Sequence, residues 1–213
     1  DGAEPAHRGA ARPESVLRLV ILGLQVQVAC NDASLARLAK ANYGAFAHRG
    51  GTGPPELQYR LDRDAAPDAF KLTCRGQTEV AADLGELLFL LEKDMTVVLQ
   101  QRRPDLLFLH AAALEHGGKA FVLAGESGNG KSTTAWGLLH HGLRYLSDEL
   151  SPIAVDTLQV WAYPHALCLK RRPPAAYPLP AAGVLDLGRT LHVPVRRLPS
   201  AKAAEPCELG AVI

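Results

Sequence analysis

The segment with the clearest chemical content is a glycine-rich stretch at residues 125–132. It reads Gly-Glu-Ser-Gly-Asn-Gly-Lys-Ser and satisfies the pattern G-x-x-x-x-G-K-[S/T] at every position. Glycines let the backbone curl until successive N–H groups point at one phosphate, and a following helix adds the positive end of its dipole. Lys131 would reach the β- and γ-phosphate oxygens, and the Ser132 hydroxyl would take a Mg²⁺ position. The stretch therefore predicts a site for a nucleoside triphosphate.

The cofactors predicted from this loop are ATP and Mg²⁺, because backbone amides, one ammonium and one hydroxyl suit a magnesium-bound polyphosphate. The alternative is an ordinary glycine turn before a helix. The residues expected to bind the nucleotide are Gly125, Glu126, Ser127, Gly128, Asn129, Gly130, Lys131, Ser132 and Thr133.

Two acidic residues, Asp148 and Glu149, end the short apolar strand predicted after that helix. Phosphoryl transfer needs a carboxylate that holds the metal and a group that orients or deprotonates the attacking hydroxyl. A strand beside the loop would let one of the two hold Mg²⁺, directly or through water, and the other accept a proton. The alternative is a solvated acidic turn or a helix N-cap, since acidic residues are mostly exposed.

A histidine and two basic clusters are further candidates for the site. His110 interrupts the apolar run at residues 106–114 and could hydrogen-bond a phosphate oxygen or orient a carboxylate, although a structural histidine is the alternative. The clusters at residues 170–172 and 196–197 are either solvated or supply one cation that stabilises the transferring phosphoryl group.

Hydrophobic patterning predicts the elements that must position these residues. A strand is predicted at residues 16–30, and a helix capped by Asn31 or Asp32 ends at Tyr43. The apolar run that contains His110 leads into a hairpin turn at residues 115–119. Further strands are predicted at residues 57–61, 70–74, 120–124, 143–146, 152–155, 158–163 and 166–169, and further helices at residues 83–101 and 131–141.

These elements predict an α/β protein with a P-loop kinase core, built on a mixed β-sheet and preceded by a smaller α+β domain. Residues 1–15 are rich in Ala, Gly, Pro and Arg and are expected to be a loose lead-in. The N-terminal α+β domain is predicted to cover residues 16–103, and the catalytic domain residues 104–213.

Composition excludes several classes of protein. The 213 residues are 47% hydrophobic and 21% charged, which is incompatible with wholesale disorder. A net charge of +1 argues against a dedicated nucleic-acid binder. The 4 cysteines form no CxxC pair, so a zinc site and a disulfide scaffold have little support. The apolar stretch at residues 16–28 is too short and too polar to span a bilayer, so a cytoplasmic protein without membrane partners is expected.

Three spaced elements resemble the catalytic domain of HPr kinase/phosphorylase, the bacterial enzyme that phosphorylates a serine of a small sugar-transport protein. They are the loop, His110 at the same distance before it, and residues 142–149, which end in Asp-Glu where the family typically has Asp-Asp. The resemblance covers about residues 110–151. It implies an HPr kinase-like core, active-site roles for His110 and Lys131, Glu149 as the proton acceptor, Ser132 as a metal ligand, and a homo-oligomer.

The sequence is more similar to the diverse HPr-kinase-related proteins encoded in bacterial peptide-biosynthesis and surface-polysaccharide settings, which include kinases of lasso-peptide precursors. The expected function is an ATP- and Mg²⁺-dependent kinase that phosphorylates a hydroxyl, that of serine in a peptide or small protein. His110, Lys131, Asp148 and Glu149 are the expected catalytic residues, with Mg²⁺ on Ser132 and Asp148. A nucleotide-binding regulatory module with little turnover and a small-metabolite kinase are the alternatives.

Overall fold

A computed structural model describes residues 15–48, 53–64, 69–203 and 206–213 of the chain. The lead-in predicted at residues 1–15 lies outside these ranges except for Ser15, which begins the first strand. None of the described helices is long and apolar enough to cross a membrane.

The first half of the chain forms a five-stranded sheet that carries two helices. Its strands are, in order across the sheet, β1 (Ser15–Ile21), β2 (Leu24–Cys30), β3 (Leu57–Arg63), β4 (Phe70–Cys74) and β5 (Gln77–Ala81). Helix α1 (Ala33–Tyr43) connects β2 to the parallel strand β3, and helix α2 (Leu84–Arg102) follows β5. Asp32, one of the two predicted cap residues, and Asp83 accept hydrogen bonds from first-turn amides of α1 and α2.

Short turns hidden inside apolar runs overturn the prediction of one strand at residues 16–30. Leu22 and Gly23, with φ values of 48° and 90°, form a tight turn between β1 and β2. Hairpin turns of this kind require positive φ and favour Asn-Gly or Asp-Gly, so a leucine in the first position hides the signal. The apolar run at residues 106–114 is likewise divided between two strands at His110.

The second half builds two further sheets around helix α3 (Lys131–His140). Its strands are β6 (Leu106–Leu109), β7 (Ala112–His116), β8 (Lys119–Leu123), β9 (Arg144–Ser147), β10 (Ser151–Ala154), β11 (Gln159–Val160), β12 (Leu167–Leu169), β13 (Leu185–Asp186), β14 (Leu191–Val193) and β15 (Cys207–Val212). The seven-stranded sheet has the order β6-β10-β11-β15-β8-β7-β9, with β15 parallel to β8, and the three-stranded sheet has the order β12-β14-β13. The predicted α/β class with mixed sheets is confirmed at this level.

The order of β8, β7 and β9 brings the predicted site together. Strand β7 lies between the other two and is antiparallel to both, so β8 and β9 run in the same direction. The glycine-rich loop (residues 125–130) follows the end of β8, whereas Asp148 and Glu149 follow the end of β9. Both segments therefore follow the same end of the strands, although β7 separates β8 from β9.

Helix α3 is fixed by one apolar face, which in turn fixes the loop before it. Ala135, Trp136 and Leu139 are buried in a cluster with side chains of β7 and β12. The indole Nε1 of Trp136 also donates a hydrogen bond to the backbone oxygen of Tyr177 at 2.9 Å. Burying a tryptophan with its N–H paired anchors a helix firmly, so the first turn of α3 has a defined position.

A single core cluster spans the two halves of the chain. Helix α2 buries Leu88, Leu91 and Met95 in it, and Leu106 and Tyr163 of the second half belong to the same cluster. This shared core holds α2 against the sheet that carries the predicted site. The two domains predicted from the sequence remain predictions.

Candidate functional site

The glycine-rich loop has a backbone conformation that depends on glycine. Gly128 and Gly130 have φ values of 98° and 85°, in the left-handed region that side chains with a Cβ disfavour. Gly130 is the residue that caps α3, and Thr134 N donates to its carbonyl at 2.8 Å. The loop thus delivers the chain into α3, whose first residues, 131–133, line a cavity. The unpaired first amides of a helix are the groups that bind a phosphate.

The ammonium group of Lys131 lies across the start of the loop. Its Nζ donates hydrogen bonds to the backbone oxygens of Gly125 and Glu126, at 2.7 and 3.1 Å. Both partners are neutral carbonyls, so an incoming phosphate can take the ammonium without breaking an ion pair. This arrangement keeps a cation beside the loop amides.

Asp148 is a buried carboxyl group with one oxygen in use and one available. The residue is 2% exposed, and its Oδ2 accepts a hydrogen bond from Cys168 N at 2.8 Å. Its Oδ1 is also buried, and no described residue donates to it. Burial raises the pKa of Asp148 to about 7, although the Cys168 amide and the nearby Ser132 hydroxyl lower it. An unpaired buried carboxylate oxygen is costly, which suits a position that a cation fills.

Ser132 and Asp148 are two residues of this cavity that could hold a magnesium ion. Within the described ranges, no group of three or more His, Cys, Asp or Glu side chains is arranged to hold a metal. Mg²⁺ is usually bound through one or two carboxylates plus substrate phosphates and water, rather than by an all-protein cage. Two oxygen ligands from the chain would therefore be enough for a Mg²⁺ ion whose other ligands are phosphate and water.

Glu149 and His110 lie next to each other at the cavity wall. His110 Nδ1 is 3.1 Å from the backbone oxygen of Glu149, and since a carbonyl only accepts, Nδ1 carries the proton. The His110 side chain thus contacts the main chain of Glu149, and its nitrogen within hydrogen-bonding distance is Nδ1 rather than Nε2. Desolvation by the surrounding protein and the nearby Glu92 carboxylate raise the pKa of Glu149, while His165 and His110 lower it.

One cavity of about 310 Å³ contains all of the predicted catalytic side chains, His110, Lys131, Asp148 and Glu149. Six of the residues predicted to bind the nucleotide also line it, namely Ser127, Gly128, Gly130, Lys131, Ser132 and Thr133. Gly125, Glu126 and Asn129 are absent from its lining.

Two cations that the sequence left open enter this cavity. Lys170 and Arg171 follow strand β12 and line the cavity, and Lys170 Nζ donates to Ser127 Oγ at 2.7 Å. Arg172 does not line it, and Arg196 lines a different cavity near α1. The position of Lys170 and Arg171 directly after a buried strand was the sequence feature that pointed to the cavity. The strand that pairs with it, β14, could not be predicted from the sequence.

A buried polar chain that sequence reasoning missed supports Asp148 from behind. Cys168, whose amide binds the carboxylate, has its Sγ 3.3 Å from His192 Nδ1. That nitrogen lies 2.7 Å from Asn42 Oδ1 on helix α1, and His192 Nε2 lies 2.9 Å from Thr190 Oγ1. Burial lowers the pKa of His192 to about 4, so the imidazole is neutral at pH 7. This row of polar residues therefore connects Asn42, in the N-terminal half, to Asp148 through the neutral groups of His192 and Cys168.

Comparison with known proteins adds no functional assignment. No protein-family model matches the chain, and no curated protein matches it either. The resemblance to HPr kinase/phosphorylase therefore stays a prediction from three spaced motifs.

Proposed function

We propose that this chain is an ATP- and Mg²⁺-dependent kinase that transfers the γ-phosphate to the serine hydroxyl of a peptide or small protein. The observation that carries the proposal is the buried Asp148 Oδ1, to which no described residue donates, near the Ser132 hydroxyl at the start of α3. A carboxylate left in this state beside a phosphate-type loop is a site for a nucleotide-bound cation. The proposal includes an HPr kinase-like core, a cytoplasmic location, a homo-oligomer and no nucleic-acid or membrane partner.

The proposed mechanism divides the work among residues of one cavity. Loop amides and Lys131, which line the cavity, would bind the β- and γ-phosphates, and Ser132 and Asp148 would hold the metal. When bound, Mg²⁺ would neutralise charge on the phosphate oxygens. Glu149 accepts the proton of the attacking hydroxyl, and its raised pKa makes it a stronger base than an ordinary surface carboxylate.

The test of the proposal is incubation with γ-labelled ATP, Mg²⁺ and serine-containing peptides, including those encoded by neighbouring genes. Label on a peptide supports the proposal. Nucleotide binding without turnover would contradict it in favour of a regulatory module, and label only on a small molecule would favour a metabolite kinase. Absence of nucleotide binding would reject the site itself.

Glu149→Gln should separate chemistry from nucleotide binding. Loss of the general base lowers kcat by about 10²-fold or more, whereas the Kd for ATP stays within about twofold. Because the pKa of Glu149 is raised, the reactive carboxylate form accumulates only as pH increases through that value, so wild-type activity rises with pH. The measurement is kcat against pH for both proteins.

Glu79→Gln on the exposed edge strand β5 is the matched control and should behave like wild type. A Glu149→Gln protein with wild-type kcat would assign the proton-accepting role elsewhere.

Lys170→Ala tests whether the cation beside Ser127 takes part. Removing a charged donor from the cavity should lower kcat/KM for ATP by about 10- to 10²-fold, because the γ-phosphate then lacks one neutralising partner. Arg172→Ala removes a neighbouring cation that does not line the cavity and should change little. Equal effects of the two substitutions, in steady-state kinetics, would mean that only the general charge of this segment matters.

A further inference from the structure

A second cavity adjoins the proposed nucleotide cavity and shares His110 and Glu149 with it. It encloses about 400 Å³ and lies between helix α2 and the segment that follows β6. Residues of α2 from Phe89 to Gln100 form one wall, and Phe108 of β6 also lines the cavity. Glu149 therefore stands between two open spaces, one of which borders the glycine-rich loop and one of which does not.

Two of the α2 side chains in this wall are apolar and exposed, among polar neighbours. Phe89 is 60% exposed and Val97 is 43% exposed, although α2 already buries a separate stripe in the core. Both residues line the cavity. Exposed aromatic and aliphatic side chains at the edge of a concave surface are typical of a recognition site.

The spacing of these two side chains fits an extended peptide. Positions 89 and 97 are eight residues apart on one helix, which corresponds to about 12 Å along its axis. An extended chain covers that length with about four residues. A small polar metabolite would use neither contact, whereas a peptide that lies along α2 would use both.

Charge in the cavity is consistent with an apolar peptide. The Glu92 carboxylate, which faces the cavity from α2, lies 2.8 Å from His165 Nε2. Burial lowers the pKa of His165, but the Glu92 and Glu149 carboxylates outweigh it and raise that pKa, which favours an imidazolium beside Glu92. Lys93 on the same wall is exposed to solvent. Glu149, at the shared wall, is the acidic group that remains to receive a proton.

We propose that this second cavity, the acceptor groove, binds the phosphate acceptor as an extended peptide that carries a bulky apolar residue near the reactive serine. The inference rests on the proposed kinase function. The apolar side chain packs on Phe89 or Val97, and the serine hydroxyl lies against Glu149. The serine Oγ forms a bond to the γ-phosphorus, the bond from that phosphorus to the β–γ bridging oxygen breaks, its electron pair leaves on ADP, and the hydroxyl proton passes to Glu149.

The experiment uses synthetic decapeptides with one serine among alanines and a single phenylalanine placed at each neighbouring position in turn. Phosphorylation with labelled ATP is measured for wild type, Phe89→Ala, Val97→Ala and the control Val80→Ala, whose exposed side chain lies on β5 away from both cavities. The best phenylalanine peptide should show a KM about tenfold higher with Phe89→Ala, while kcat and the KM for ATP change by less than about twofold. Val97→Ala should act in the same direction, and Val80→Ala should have no effect.

The outcomes separate the groove from the kinase function. A phenylalanine preference that Phe89→Ala removes supports the groove. Peptide phosphorylation that is indifferent to the position of phenylalanine or to Phe89→Ala overturns the groove and leaves the kinase proposal intact. Tight ATP binding without phosphorylation of any peptide overturns the groove as a peptide site, and failure to bind ATP overturns the kinase proposal together with it. Phe89 is largely exposed, so its replacement should leave the fold unchanged.

Discussion

Lys131→Ala is expected to reduce ATP-dependent phosphoryl transfer by at least about 10³-fold. The ammonium lies across the start of the glycine-rich loop, where it would pass from two backbone carbonyls to the β- and γ-phosphate oxygens. Among the described residues, the other lysine that lines this cavity is Lys170, which follows β12 and does not belong to the loop. Charge that develops on the phosphate in the transition state would then lose the cation that the loop segment itself supplies. The measurement is kcat/KM for ATP, with a peptide that the wild-type protein phosphorylates as the acceptor.

Two comparisons make the Lys131→Ala result interpretable. Lys119→Ala removes an exposed lysine at the start of β8 and should retain wild-type activity. Urea unfolding of Lys131→Ala should give a midpoint close to that of wild type, because the side chain bonds only to loop carbonyls and is not part of the core. A variant that is folded and retains a tenth or more of the activity would exclude Lys131 from phosphate binding.

The loop and its neighbours were predictable because their signal is local. Positive φ at Gly128 and Gly130, the start of α3 at Lys131 and the acidic pair after β9 all follow from residue type and short spacing. Patterning also located most strands, since apolar residues there alternate or form short runs bounded by turns. These features need no knowledge of which strands pair.

The rest of the site depends on pairings between distant segments. Cys168 reaches Asp148 because β12 lies beside the end of β9, and Lys170 follows from the same placement. Nothing local to Asn42 indicates that it will meet His192, which is 150 positions away in the chain. The groove along α2 was invisible for a related reason: an exposed Phe89 is apolar in the sequence, and only the packing of α2 decides which of its apolar residues are buried.

Asp148→Asn is expected to lower kcat by about 10³-fold, since metal-ion stabilisation of a transferring phosphoryl group is worth several kcal/mol. The amide oxygen of asparagine can still accept the hydrogen bond from Cys168 N, so the backbone behind the site keeps its partner. Its NH₂ group would then lie where the buried Oδ1 lies now and would repel a cation. Raising the Mg²⁺ concentration should therefore fail to restore activity. The matched control is Asp156→Asn in the exposed turn after β10.

The same substitution has a second expected effect, on stability in the absence of Mg²⁺ and nucleotide. The pKa of Asp148 is about 7 in the folded protein against an ordinary 3.8, so the folded state retains a proton that the unfolded chain releases between these values. The contribution of Asp148 to the free energy of unfolding is therefore greatest below about pH 4 and declines as pH rises to about 7. Asparagine does not titrate, so urea unfolding at pH 5, 6 and 7.5 should show a smaller decline in Asp148→Asn than in wild type. An identical decline in both proteins would mean that Asp148 is ionised throughout this range. A carboxylate that is stable in the folded protein without a cation would argue against Asp148 as the metal ligand.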